Sequence, residues 1–559
     1  MLIEHCQGSH LKRLLWSGIS IRTSCRNYYT RLKYEQTQPL RIPRGCFYFL
    51  KTFMSAKVFS AAVVGLEAEI IEVEAETGGG ELGSFAIVGL PDLAVSESRE
   101  RVRSAVKNSG LEFPRLKVTV NLAPADLRKQ GPSYDLPIAI SVLLAAKKIP
   151  FSPLLHRSLL IGELALSGNV RPVNGTLSAA LAAKRKGFIN FFVPTENAAE
   201  AALVKGVSIL PVATLAQLIE HLRRRRDIAA YAGTTPTFSI APPLHDVAEV
   251  RGQEHAKRAL EIAAAGGHNL LMSGPPGAGK TLLATAIPSI LPKLTMEEAL
   301  EITKIYSVSG KLNQVEGLVT RRPFRSPHHS ASVAALVGGG SWPRPGEISL
   351  AHRGVLFLDE FGEFPRAVLE SLRQPLENGE ISVSRSSGHM VFPAQFILVA
   401  AMNPCPCGYL GDSEKSCVCT AGQVLAYRKK ISGPILDRID LHIDVPRLTY
   451  ARLSGEKKTE SSEIVQARVE KARERQVCRF ANHSLVSNSE MSPAITRQTC
   501  VLDKPSAVLM QRAVDKLNIS ARAYFRVLKI SRTIADLAQR DGITADDVAE
   551  ALQYRPKLE

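Results

Sequence analysis

The stretch Leu270-Leu-Met-Ser-Gly-Pro-Pro-Gly-Ala-Gly-Lys280-Thr281 decides the fold. Its apolar opening, Leu270–Ser273, reads as a short buried strand, and Leu282–Ile287 beyond it reads as a helix. Between them Gly274, Gly277 and Gly279 allow successive backbone N–H groups to curl around phosphate oxygens, and the helix start adds a partial positive charge. Lys280 can then reach the β- and γ-phosphates, and the Thr281 hydroxyl can ligate Mg²⁺. The G-x-x-x-x-G-K-T pattern therefore predicts a site for ATP and Mg²⁺.

Two more apolar runs lie downstream. Val355-Leu-Phe-Leu-Asp359-Glu360 ends in two acids, and Gln395–Ala400 leads into Ala401-Met402-Asn403-Pro404. Strands apolar on every side, alternating with helices, belong to a parallel sheet covered on both faces. Asp359 is placed to hold the metal, directly or through water, and Glu360 to polarise the attacking water. The plainer alternative is that both acids simply face solvent. Asn403 is a polar strand end able to orient the same water. Phosphate loop, acidic strand end and polar strand end, in that order, resemble the AAA+ ATPases. The resemblance implies two more residues. Arg438, in Gly433-Pro-Ile-Leu-Asp-Arg-Ile-Asp440, matches the arginine finger, and Arg522, in Ser520-Ala-Arg-Ala-Tyr, matches the lid arginine called sensor 2. Both would compensate charge at the transferred phosphoryl group. A surface ion pair is the alternative for each, and Arg526 is the rival for the second role.

Longer motifs narrow the family. Ala56-Lys-Val-Phe-Ser, Val88-Gly-Leu-Pro-Asp, Glu97-Ser-Arg-Glu-Arg-Val-Arg, Asn121-Leu-Ala-Pro-Ala-Asp-Leu-Arg, Arg325-Ser-Pro-His-His and Asn403-Pro-Cys-Pro-Cys-Gly resemble the YifB/ComM family of magnesium-chelatase-like AAA+ ATPases, from about Met54 to Pro556. The resemblance implies an α/β fold: a Lon-protease-like (ribosomal protein S5 domain 2-like) N-terminal domain, then an AAA+ P-loop parallel-sheet domain with a C-terminal helical lid. It also implies a homo-hexameric, ATP-driven motor on DNA, a branch-migration helicase of recombination or natural transformation. Gly131-Pro-Ser133 resembles the segment carrying the Lon nucleophile, and Gly162-Glu-Leu-Ala-Leu-Ser-Gly resembles the start of the strand pair after it. A serine nucleophile needs a base. The alignment puts Ala179 where Lon has its lysine, with Lys184 and Lys186 more than a helical turn away. Tyr134-Asp135 also replaces small residues, so proteolysis is not expected.

The chain of 559 residues carries 70 Lys+Arg against 53 Asp+Glu, a net charge of +17, with 45% hydrophobic residues. These proportions exclude wholesale disorder, collagen and coiled coil. The longest apolar run, Leu136–Ala146, falls short of the roughly 20 residues that span a bilayer, so no membrane role is expected. Residues 1–53 hold nine Lys/Arg and two acids, a net +7. Three readings of that segment compete: a translated upstream extension ahead of Met54, a transit-like leader and a basic binding arm. The expected division is 1–53, a basic N-terminal extension without a fold; 54–225, the Lon-like domain; 226–245, a linker; 246–448, the ATPase core; 449–491, a connecting helical segment; and 492–559, the lid. Nine cysteines without a secretory leader read as reduced thiols of a cytoplasmic protein.

Four of those cysteines cluster as Cys405-Pro-Cys407 and Cys417-Val-Cys419. Four thiolates in so short a span suit tetrahedral Zn²⁺, with Gly408 and Gly411 easing the turns; unliganded thiols and a redox pair are the alternatives. Arg321-Arg-Pro-Phe-Arg325-Ser-Pro-His-His329 reads as a basic loop that contacts DNA phosphates, with a subunit interface or histidine metal ligands as alternatives. A motor subunit for metal insertion into a tetrapyrrole is the rival function, although no Asp-x-Ser-x-Ser motif occurs. A protein-remodelling ATPase is a third.

Overall fold

Two sheets organise the protein, one antiparallel at its centre and the other wholly parallel. The computed structural model describes residues 56–79, 81–233, 245–313, 317–340, 342–385, 388–412, 414–448, 460–483 and 485–555. The basic segment 1–53 and the Pro-containing stretch 234–244 lie outside them.

The first sheet has seven strands: β1 (Ala56–Val64), β2 (Glu67–Gly78), β3 (Phe85–Val88), β4 (Lys117–Ala123), β5 (Ser158–Leu160), β8 (Asn190–Pro194) and β9 (Ser208–Val212). Their order is β3-β4-β2-β1-β5-β8-β9, while β6 (Glu163–Leu164) and β7 (Val170–Arg171) form a separate hairpin. The long β1–β2 pair is antiparallel, with Ala56 opposite Ala75 and Val64 opposite Glu67. Period-two alternation sends Val58, Ala62, Leu160 and Phe192 to one face, and Ala61, Leu159, Phe191 and Val193 to the other. The helix Asp135–Ala145 covers the first face and Thr176–Arg185 the second.

The second sheet is built from β10 (Leu270–Ser273), β11 (Phe324–Arg325), β14 (Val355–Leu358), β17 (Ile397–Met402) and β18 (Leu441–Asp444). It runs β11-β14-β17-β10-β18, all neighbours parallel. All four residues of β14 and all six of β17 are buried, as strands covered on both faces must be. Two small hairpins stand off this sheet. One pairs β12 (Gly338–Gly339) with β13 (Arg344–Pro345), the other β15 (Glu380–Arg385) with β16 (Gly388–Pro393).

The C-terminal part is helical: Ser462–Arg479, Pro493–Thr499, Lys504–Leu517, Ala521–Leu537 and Ala545–Gln553. Its polar hub is Asp536, fully buried, which accepts from Arg479 (2.6 and 2.8 Å) and Asn488 (2.9 Å) and pairs with Arg532 (3.1 Å). His268, just before β10, contacts Thr533 Oγ1 (2.9 Å) and Asp440 Oδ2 (3.3 Å), and Arg526 donates to the Asp437 carbonyl. These contacts dock Ala521–Leu537 against the edge of the sheet where its strands begin. No helix among the described residues is long and apolar enough to cross a membrane.

A buried carboxylate joins the two sheets' domains. Glu200, 3% exposed, accepts from the Leu177 N–H (2.7 Å), Asn197 Nδ2 (3.3 Å) and the Ser307 hydroxyl, while Ser307 Oγ accepts from the Gly175 N–H (3.0 Å). Ser307 belongs to the helix Met296–Ser309, which precedes the second sheet's β11. Burial pushes the Glu200 carboxyl up, and its three donors oppose that. Removing the acceptor strands buried donors at about 1–3 kcal/mol each. Glu200→Ala should therefore lower the thermal unfolding midpoint by several degrees, read by differential scanning calorimetry; an unchanged midpoint would contradict this role.

Candidate nucleotide site

Strand order places the site. β17 lies between β10 and β14, so the residues after all three strands emerge side by side at one end of the sheet. After β10 the chain turns through Gly277 (φ 78°) and Gly279 (φ 89°), left-handed conformations that a side chain would strain, and enters the helix Lys280–Ala286. Lys280 folds back over this loop and donates to the carbonyls of Gly274 (2.7 Å) and Pro275 (3.0 Å) and to Asn403 Oδ1 (3.3 Å). Burial pulls the Lys280 ammonium below its usual value, with the charge of Asp359 opposing. The Thr281 hydroxyl donates to Asp359 Oδ2 at 2.8 Å, and Asp359 Oδ1 accepts the Glu360 N–H at 2.9 Å.

Lys280, Thr281, Asp359, Glu360 and Asn403 thus converge from three strand ends. Thr281 Oγ1 and Asp359 Oδ2 form a hard oxygen pair of the kind Mg²⁺ takes beside substrate phosphates. Lys280 and the glycine loop supply donors for a phosphate chain.

The two arginines are elsewhere. Arg438 lies just before β18, where its carbonyl accepts from Asn269 Nδ2 (3.0 Å), at the start of the strands. Four residues of β10 separate that edge from the phosphate loop, about 13 Å at about 3.3 Å per residue. Arg438 pairs with Glu377, and Arg522 NH2 lies 3.7 Å from the same carboxylate. Both line a cavity of about 890 Å³ at this edge, together with Arg526, Arg473 and Lys529. Within one chain neither arginine stands at the phosphate loop. Arg526, the rival to Arg522, is occupied by the Asp437 carbonyl and lies 3.7 Å from Asp440.

The basic stretch differs in its local structure from the free loop its sequence suggests. Phe324–Arg325 is strand β11, paired with β14, and the Phe324 ring stacks on Phe357 at 6.0 Å. Arg322 is folded inward onto the carbonyls of Pro292 (2.6 Å) and Arg353 (2.7 Å) and the Glu298 carboxylate (3.0 Å). Arg325 makes a two-pronged pair with Glu347 (2.5 and 2.8 Å). Only Arg321 of the three faces solvent, so this stretch is largely a sheet edge tied down by carboxylates and not the free basic loop the sequence suggests.

The four cysteines do meet. The Sγ atoms of Cys405, Cys407, Cys417 and Cys419 lie within 4.8 Å of one another, with separations of 3.4, 3.5 and 3.6 Å among the first three. A tetrahedral site with Zn–S of about 2.3 Å has sulfur–sulfur edges of about 3.8 Å, so the set fits that ion. Backbone N–H groups of Tyr409 and Val418 hold the Cys407 thiol down at about 6. The same turn abuts the phosphate loop, because a Cβ on Gly408 (φ 84°) would lie 2.7 Å from Pro276 Cδ.

In the first domain Ser133 sits in the turn Pro132–Tyr134, and Ala179 is buried on the helix across the sheet. The neighbouring Asp135 is fully buried and bound by Arg101 (2.6 and 3.1 Å), Ser98 and the Leu164 N–H (3.1 Å).

Comparison with known proteins agrees with this architecture. Residues 71–197 match the model "Subunit ChlI of Mg-chelatase", 246–453 match "Magnesium chelatase, subunit ChlI" and 459–555 match its C-terminal model. An uncharacterised protein of Mycobacterium tuberculosis is 45% identical over 503 residues, covering 89% of this chain and 98% of that protein. The uncharacterised protein YifB of Escherichia coli is 45% identical over 504 residues (89% and 96%), and competence protein ComM of Haemophilus influenzae is 44% identical over 507 (89% and 97%). The chain belongs to the YifB/ComM family of magnesium-chelatase-like AAA+ ATPases. Similarity to Lon protease is partial: that of Koribacter versatilis is 30% identical over 150 residues, 25% of this chain. YifB/ComM membership brings with it an AAA+ module of the magnesium-chelatase type, and ATP with Mg²⁺ as its ligands.

Sequence reasoning did not single out Glu377, which gathers both arginines, and it gave Gly408 a role only in the cysteine turn. That Gly408 also packs this turn on the phosphate loop depends on a contact with Pro276, more than a hundred residues earlier. Gly408→Ala combines a left-handed backbone with a clash on Pro276, a strain of about 1–3 kcal/mol. It should weaken ATP binding severalfold in a fluorescent-nucleotide titration; wild-type affinity would show that the turn does not brace the loop.

Proposed function

We propose that this protein is an ATP-hydrolysing ring motor acting on DNA. Support for hydrolysis comes from one observation above all, the convergence of Lys280, Thr281, Asp359, Glu360 and Asn403 at three adjacent strand ends. In this reading Lys280 and the glycine loop bind the phosphates, Thr281 and Asp359 hold Mg²⁺, and Glu360 takes the proton of a water that Asn403 orients. The metal would draw charge off the phosphates. Arg438 and Arg522, at the opposite edge, would complete the site of a neighbouring subunit, which makes a closed ring, a hexamer in our reading, the working form. The four cysteines would hold a structural zinc that stiffens the turn after Asn403.

For DNA, support is the competence role in the name of the Haemophilus influenzae relative and an alternative basic surface. The β12–β13 and β15–β16 hairpins meet, with Arg344 and Arg385 exposed, His389 exposed beside them and Arg385 NH2 against Gly339. Such a surface contacts phosphates whatever the base sequence. A second reading, a motor for metal insertion into a tetrapyrrole, draws on the magnesium-chelatase descriptions of the matching families.

ATP turnover measured with forked DNA, single strands and porphyrins separates these readings. Forked DNA should raise the rate, and Arg344→Ala/Arg385→Ala should lower the slope of log affinity against log salt by about 0.7–0.9 per lost contact. Stimulation by porphyrin and none by DNA would transfer the protein to the second reading. Glu360→Gln should bind ATP but barely hydrolyse it; normal turnover would remove the proton-acceptor role. Metal analysis should find about one zinc per chain, lost in Cys405→Ser/Cys417→Ser. Negligible zinc in both would end that assignment.

A further inference from the structure

Of the two acids that end β14, Asp359 is held by Thr281, while the Glu360 carboxylate is met from a different direction. The Glu360 backbone is fixed in the left-handed region (φ 52°, ψ 44°), its N–H given to Asp359 and its carbonyl accepting from the Glu363 N–H at 2.7 Å. Its carboxylate is 55% exposed, and His329 Nδ1 lies 3.0 Å from Oε2. His329 is itself held: its ring packs on His328 (centroids 4.1 Å apart) and meets the buried Phe364 edge-on (6.5 Å). His328 in turn contacts Ser330 Oγ at 2.8 Å. The histidine pair is a candidate metal ligand set by sequence, but among the described residues the group of three or more His, Cys, Asp or Glu side chains that converge closely enough to share an ion is that of the four cysteines.

We propose that His329 is a positioning residue for Glu360, an inference that rests on Glu360 accepting the proton of the attacking water. A carboxylate on a half-exposed, flexible side chain samples rotamers in which it cannot reach that water, and rate falls with the time it spends there. An Nδ1–H donated to Oε2 pins one oxygen and leaves Oε1 for the water. The imidazolium, or the neutral ring with its proton on Nδ1, supplies that donor. The His329 ring rests edge-on against the buried Phe364, which limits how far it can follow the carboxylate. The loop that carries His329 runs from β11 into the helix Val333–Val337 and so belongs to the ATPase core itself.

The test uses the full chain, with ATP turnover and fluorescent-ATP binding measured for His329→Ala, His329→Asn and Glu360→Gln. His329→Ala should lower kcat roughly ten- to hundredfold with ATP affinity unchanged, since the histidine touches the carboxylate and not the phosphate loop. His329→Asn keeps an N–H donor and should recover much of the loss, which a merely structural histidine would not predict. Thermal melting of both variants separates misfolding from mispositioning. Wild-type or faster turnover by His329→Ala while Glu360→Gln is inactive overturns the proposal and leaves the Glu360 role standing. Equal loss in the alanine and asparagine variants, or loss of ATP affinity with kcat, also overturns it. Normal turnover by Glu360→Gln removes the underlying reading and this one with it.

Discussion

A parallel sheet has two chemically different ends, and that polarity governs the site chemistry of this protein. Strand order β11-β14-β17-β10-β18 brings three strand exits together at one end, where the phosphate loop, the Asp359–Glu360 pair and Asn403 meet. The strand entrances at the other end carry Asp440, Asn269 and, beside them, Arg438. About 13 Å of sheet separates them. The central strands β14 and β17 are buried throughout, so no side-chain rotation carries Arg438 through the sheet from one edge to the other.

The helical domain follows from the same polarity. It meets the sheet through His268, Asp440 and Thr533, and Asp536 fixes the surrounding helices by drawing Arg475, Arg479, Arg532 and the Asn488 amide into one buried cluster. Such a cluster is strongly geometric, because leaving any one charge unpaired in the interior is costly. It holds Arg522 beside Arg438, on the shared carboxylate of Glu377. The first domain is joined through Glu200 and Ser307, so the helix that precedes the second sheet's β11 is anchored on both domains.

Much of this was legible in the sequence, for physical reasons that differ between elements. The phosphate loop, β14 and β17 are local patterns: an apolar run, then residues whose chemistry is set within a few positions. The strand Lys117–Ala123 is a local pattern of the same kind, with Val118, Val120 and Leu122 buried at every second position. What could not be read was pairing between distant positions. Arg322 and Arg325 looked like a free basic run because their carboxylate partners, Glu298 and Glu347, lie far off in the chain. Arg522 was matched by its motif, but its place depends on how the helices dock. The cysteine cluster lay between these extremes, since its spacing announced four thiols and only the fold could bring the two pairs together.

If one site is built from two chains, mixing subunits tests it most directly. Glu360→Gln lacks the proton acceptor and keeps the arginines; Arg438→Ala lacks an arginine and keeps the acceptor. Each alone should hydrolyse ATP poorly. Mixed in varying ratio, they should regain turnover, because some interfaces then pair an intact Glu360 with an intact Arg438 from the neighbour. If no ratio restores hydrolysis although the two proteins co-assemble, the site is not shared between subunits and lies within a single chain.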